Sequence, residues 1–312
     1  MADEKWIAGL RGDMPANEAA RLALGARLGA VRDHLPAAVF HADADIEHVH
    51  QLRVCTRRAA AALRIFTPCL AARLAEKTRK TLRALRRSAG EARDWDVFLV
   101  ELQTRLRKTA VANRPGLYFL AGQAHAHREL AQEHLRQAYH AKAELFNQCT
   151  DEIAQELGES EAEEPLHDLA GPTLVHLLQE LENAARADLQ SYDALHQVRI
   201  LGKQLRYAME IFANCYAVAF REKYYPAVTE MQDLLGLAND SHCAVERLKA
   251  LRQLLLDRQA PHWPACQPGI DMLIAFHERR LPLQRRKFEK WWKAWLQSGA
   301  ESAFGRLIGN KY

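Results

Sequence analysis

Along most of the chain apolar residues recur at intervals of three and four, the period of one face of an α-helix, and no stretch alternates apolar and polar as a half-buried strand would. The segments between breakers are rich in Ala, Leu, Arg, Glu and Gln, which lose little on entering a helix. This pattern predicts an all-α chain with helices at 17–38, 45–66, 71–88, 94–110, 116–150, 170–190, 193–213, 219–235, 240–258 and 268–297. Thr67-Pro68, Arg114-Pro115-Gly116, Gly171-Pro172 and the stretch from Pro261 to Gly269 supply the breaks. The most polar interruption, Gly158 to Pro165, places an exposed acidic linker at 156–165.

The two sides of that linker repeat one pattern. His50-Gln51-Leu52-Arg53-Val54 returns as His196-Gln197-Val198-Arg199-Ile200, and Gly90-Glu91-Ala92-Arg93-Asp94 as Gly236-Leu237-Ala238-Asn239-Asp240, each 146 positions later. Cys69 and Cys215 share that offset, and the helix starts at Pro115-Gly116 and Pro268-Gly269 correspond at 153. Several matches in one register imply a duplicated helical bundle with about four principal helices per copy.

At ~100° per residue, Arg53, Arg57 and Arg64 lie close to His50 on one narrow stripe of the first repeated helix. Leu52, Ala59, Leu63 and Phe66 fall opposite, where a core-facing surface belongs. The second copy repeats the wheel, with His196, Arg199, Lys203 and Arg206 on the charged side and Val198, Leu205, Met209 and Phe212 facing them. Such rows are usually solvated faces, but those mix signs at i,i+4, and no carboxylate occurs between His50 and Arg64. A row of like charges repels itself unless an anion compensates it. In the second copy Glu210 neutralises part of the stripe.

The next helix of the first half adds Lys80, Arg83 and Arg87 on one face, while Arg79 and Arg86 fall outside it and read as solvated. The second copy is poorer, with Lys223 matching Lys77 but Thr229 and Asp233 standing where Arg83 and Arg87 would be. The first half is therefore expected to carry more of the affinity for an anion. Asp94 and Asp96 read as helix-start charges after a turn at Gly90.

These blocks resemble the CHAD family, the conserved histidine α-helical domain. The resemblance rests on His50 to Val54 with Arg57-Arg58 and Leu63-Arg64-Ile65-Phe66, on Ala92 to Val97, on His196 to Ile200 with Lys203, Leu205-Arg206-Tyr207 and Phe212, and on Asn239-Asp240. It covers residues 17–297 and implies two tandem four-helix bundles, 17–155 and 166–297, packed around a basic central channel. It also implies affinity for inorganic polyphosphate and association with polyphosphate granules, and since the residues show no catalytic constellation the binding is expected to be non-catalytic. The helix faces and the resemblance together point to His50, Arg53, Arg57, Arg64, Lys80, Arg83, Arg87, His196, Arg199, Lys203, Arg206 and Lys223 as the polyphosphate-binding residues. The chain departs from the family at Ala60, where a basic residue is usual, and has no Glu-x-Glu-x-Lys strand of the triphosphate-hydrolysing domain that precedes many relatives.

Composition narrows the alternatives. A net charge of +4 is too mild for nucleic-acid binding by bulk charge, so any electrostatic function depends on local clustering. The six cysteines form no C-x-x-C pair or zinc spacing, which fits a reducing, cytoplasmic setting, and no apolar run is long enough to span a membrane. His125 and His127 point to different sides of a helix, so they and His34, His41 and His48 read as surface histidines; no metal or cofactor is expected. Trp291, Trp292 and Trp295 beside Arg285-Arg286-Lys287 could stack bases or pack in a core. A helical nucleic-acid-binding protein and a phosphate-transfer or polyphosphate-hydrolysing enzyme remain the competing readings.

Overall fold

The computed structural model describes residues 5–159 and 164–309, and among them the fold is all-α, without a strand. Its helices are α1 (Ala16–Phe40), α2 (Glu47–Ile65), α3 (Ala72–Leu106), α4 (Arg114–Glu159), α5 (Leu166–Ala185), α6 (Tyr192–Ile211), α7 (Tyr225–Asp257), α8 (Trp263–Gln297) and α9 (Ala300–Gly309). Of the acidic linker expected at 156–165, residues 160–163 lie outside the described residues, 156–159 instead form the last turn of α4, and Pro165 makes an isolated antiparallel bridge with Pro15.

Helices α1 to α4 close on themselves, α1 packing on α2, α2 on α3, α3 on α4 and α4 back on α1. Helices α5 to α8 pack in succession, α5 on α6, α6 on α7 and α7 on α8, and α9 bridges α8 to α5. Packing of α2 on α6, α1 on α5 and α4 on α8 joins the two sets. The apolar sides predicted for the repeated helices are the sides that pack: Leu52, Ala59 and Leu63 on α2 with Phe66 just after it, and Val198, Leu205 and Met209 on α6 with Phe212 just after it, are all buried.

Three expected breaks are absent, one of them Gly171-Pro172, which lies inside α5. Helices at 71–88 and 94–110 are one helix, α3, and those at 219–235 and 240–258 merge into α7, preceded by a π-turn at Phe220–Tyr224. Gly90 is not at a turn. A Cβ there would lie 3.0 Å from Arg53 Nη1, and the same guanidinium donates to the Gly90 carbonyl at 2.8 Å. The glycine makes room for a side chain from α2, and burial of Leu85, Ala89 and Ala92 on either side outweighs its ~1 kcal/mol helix penalty. Likewise Gly116 of α4 and Gly269 of α8 meet where the two helices cross, and a Cβ on either would strike the carbonyl of Cys266 or Asn113. Helix α8 consequently begins at Trp263, ahead of Pro268 and Gly269.

Candidate functional site

The cationic stripes of α2, α3 and α6 turn toward one another and enclose a cavity of about 920 Å³. Arg53, Arg57 and Arg64 come from α2; Arg79, Arg83, Arg86 and Arg87 from α3; His196, Arg199 and Lys203 from α6. On α3 the wall runs from Ala72 to Asp94, ~33 Å at 1.5 Å per residue. No residue of α7, the counterpart of α3, lines the cavity.

Only three carboxylates share the wall, and each is engaged: Asp94 with Arg53 at 3.0 Å, Glu76 with Arg79 at 2.6 Å and Glu91 with Arg87 at 3.6 Å. Arg57, Arg64, Arg83, Arg86, Arg199 and Lys203 have no carboxylate within ion-pairing distance among the described residues, and the buried Nε of Arg199 has no hydrogen-bond partner. Burial and mutual repulsion mark the inner members of this set, Arg86, Arg199 and Lys203. Burial, then Arg57, Arg199, Arg53 and Arg206, push the Lys203 ammonium down to about 6. Burial and then neighbouring arginines also lower the guanidinium of Arg86. Burial lowers His50, with Arg93 next in effect, and burial followed by Arg199 lowers His196.

His196 is held from behind. Its Nδ1 lies 3.2 Å from both the Tyr192 hydroxyl and Asn239 Oδ1, while the Tyr192 hydroxyl donates to Asn239 Oδ1 at 2.9 Å. A proton on Nδ1 satisfies that side of the ring and leaves Nε2 as the nitrogen free for a ligand.

The sequence-predicted site residues divide. Arg53, Arg57, Arg64, Arg83, Arg87, His196, Arg199 and Lys203 are brought together on the wall, and His50 sits one helical turn before Arg53, close enough for Arg53 and Arg57 to act on it. Arg206, Lys80 and Lys223 are not on the wall. Arg206 turns inward to Glu210, 3.2 Å away, and to the hydroxyl of Tyr225, because Glu210 is buried and also takes Arg58 at 2.7 Å. Lys80 is exposed and paired with Glu76, which lies a turn before it, and Lys223 is exposed on the π-turn. Conversely Arg79 and Arg86, expected to be solvated, line the cavity, since α3 runs unbroken beside α2. Ala60 stands on the wall between Arg57 and Arg64.

Asp94 and Asp96 cap nothing, because α3 does not start there. Asp94 restrains Arg53, and buried Asp96 accepts from Arg128 Nε at 3.1 Å, tying α3 to α4. No group of three or more potential metal-ligating side chains occurs among the described residues, nor any helix long and apolar enough to cross a membrane.

The family model for the CHAD domain matches residues 22–249. The chain is similar to the crystal structure of the CHAD domain from the plant Ricinus communis, with a TM-score of 0.73 and 25% identity over 93% of this chain and 96% of that one. It shares its fold with PptA from Streptomyces chartreusis, with a TM-score of 0.67 and 19% identity over 90% of this chain and 100% of that one. No curated protein matches the sequence. With the family match running from within α1 to within α7 and including every helix that walls the cavity, the chain belongs to the CHAD domain family.

Proposed function

We propose that the cavity binds inorganic polyphosphate without turning it over, and that this binding places the protein at polyphosphate granules. One observation carries the reading: six basic side chains on a single wall lack a carboxylate, and the five arginines among them repel one another, Arg57 and Arg199 holding Lys203 back from its charge, until an anion enters. Polyphosphate supplies about one negative charge per phosphate along a flexible chain and has no bases to be read, so charge, donor geometry and cavity shape are the only means of recognition. Arginine predominates on the wall, and its planar fork grips two phosphate oxygens where lysine acts as a point charge. Family membership supports the same ligand, and the pairing of the three wall carboxylates with arginines leaves none placed as a free general base.

Titration with polyphosphate at two salt concentrations tests this, comparing wild type with Arg57→Glu and Arg83→Glu. Each variant is expected to lose at least ~tenfold in affinity, the scale of a charge-assisted hydrogen bond of ~1.5–3 kcal/mol, and wild-type affinity should fall steeply with salt. Unchanged affinity in both variants would refute the site. Polyphosphate incubated with the protein and a divalent cation should keep its chain length, and progressive shortening would show an enzyme. Excess polyphosphate should release the protein from DNA, with DNA failing to do the reverse.

A further inference from the structure

The cationic cluster near the C-terminus, where aromatic and basic residues alternate, takes no part in the cavity. In α8 the two kinds of side chain separate. Trp292 and Trp295 are buried, and Trp291 stacks on Trp295 with ring centroids 5.5 Å apart and planes inclined by 13°. Arg279, Arg286, Lys287, Lys290 and Lys293 are all exposed. At ~100° per residue, Arg279, Arg286, Lys290 and Lys293 fall within a sector of ~60°, along ~21 Å of helix.

None of these five cations has a carboxylate within ion-pairing distance among the described residues; Glu289, the acid interspersed with them, is engaged by Arg285 at 3.6 Å. An ordinary solvated face looks different. On the outer side of α4, Arg136 is paired with Glu133 and His134 with Glu91. The chief partners of α8 are α7 and α4, neither of which supplies wall to the cavity, and the family match ends at residue 249, before α8 begins.

We infer that the outward face of α8 is a second binding surface, separate from the cavity, for a long inorganic polyphosphate chain. A convex row of cations with its tryptophans turned inward offers phosphate contacts and no platform for stacking bases. Its partner is therefore recognised by phosphate charge alone. The inference rests on the polyphosphate reading of the cavity. A chain short enough to lie wholly in the cavity would not reach α8, whereas a long chain, or a granule presenting many, would engage both surfaces and be held with avidity.

The test is a triple variant, Arg286→Glu, Lys290→Glu, Lys293→Glu, compared with wild type and Arg57→Glu against a short polyphosphate that the cavity can hold entire, a long polyphosphate, and duplex DNA. The substituted side chains are exposed, and circular dichroism checks that helicity is retained. The triple variant should bind the short chain within twofold of wild type, bind the long chain at least tenfold more weakly, and lose about two from its salt slope, at ~0.7 per phosphate contact for a single strand. Unchanged long-chain affinity and salt slope would overturn the inference, as would a loss confined to duplex DNA. Wild type failing to bind the short chain would sink the cavity reading instead, and the long-chain comparison would still decide the α8 surface.

Discussion

Lys203 should take up a proton when polyphosphate binds. In the free protein burial and four arginines hold its ammonium down to about 6. At pH 7.5 only ~3% of the molecules then carry the charge, by the ordinary titration relation. An anion in the cavity reverses the cause: it neutralises the repulsion from Arg57, Arg199 and Arg53 and favours the charged amine, returning the group toward its reference value of ~10.4. Binding at pH 7.5 should therefore absorb ~0.9 proton per site, and affinity should fall by up to ~tenfold per pH unit above about 6 until the bound-state pKa is reached. Both histidines gain charge only below their usual ~6.5, because burial and neighbouring arginines lower them, so they strengthen binding at the acid end of the range.

Calorimetry with long polyphosphate in buffers of different ionisation enthalpy measures the uptake, since chain ends then contribute few titrating groups of their own. Lys203→Met should abolish the uptake at pH 7.5, and Lys203→Arg, whose charge does not titrate, should retain binding while flattening its dependence on pH above 7. Equal apparent enthalpies in all buffers for wild type, or an undiminished uptake in Lys203→Met, would refute the electrostatic reasoning.

Three further outcomes follow from contacts around the site. Asp94→Asn frees Arg53 from its carboxylate and should raise polyphosphate affinity about threefold, ~0.7 kcal/mol for a partly exposed pair, measured by titration at low salt. Glu210→Gln leaves Arg58 and Arg206 buried beside a neutral amide and should destabilise the fold by ~3 kcal/mol in urea denaturation. Gly269→Ala drives a methyl group against the Asn113 carbonyl just ahead of α4, which no rotamer relieves, and should cost ~2 kcal/mol by the same measurement; an unaffected midpoint would show that the α4 and α8 crossing has slack.

What the sequence made legible was what a single helix face encodes. The wheels of α2 and α6 named the buried sides and, apart from His50 and Arg206, which they also placed on the charged stripes, the cations that reach the cavity, because 3.6-residue periodicity determines which residues share a face. The all-α class followed from the same signal. What could not be read depended on neighbouring elements. Gly90 looked like a turn because a helix interior disfavours glycine, and only the approach of Arg53 from another helix explains why it is tolerated. With α3 wrongly divided at that point, the register placing Arg79 and Arg86 beside α2 was lost, and Asp94 was read as a cap although it pairs with Arg53. Helix α9, only ten residues long, carried too few turns to announce itself, yet Phe304 and Ile308 bury it against the core.

The asymmetry of the cavity follows from which helices face it. Where α3 presents Arg83 and Arg87, α7 has Thr229 and Asp233, and α7 contributes nothing to the wall. The α6 stripe is shortened as well, since Arg206 is drawn to Glu210, the same carboxylate that accepts Arg58 from α2. That buried junction binds the two repeated helices together, and it costs the second half one of its cations. The duplication thus yields one helix, α6, which faces two cationic helices of the first half and brings Lys203 into the field of Arg53, Arg57 and Arg199. Adding cations to α7 would not extend this wall, because α7 does not face it; restoring a basic residue at Ala60, between Arg57 and Arg64, would. Ala60→Arg should therefore tighten polyphosphate binding and push Lys203 lower still in the free protein, so that the proton uptake at pH 6.5 rises along with the affinity. An Ala60→Arg variant with tighter binding but unchanged uptake would separate the two effects and show that Lys203 does not sense charge from α2.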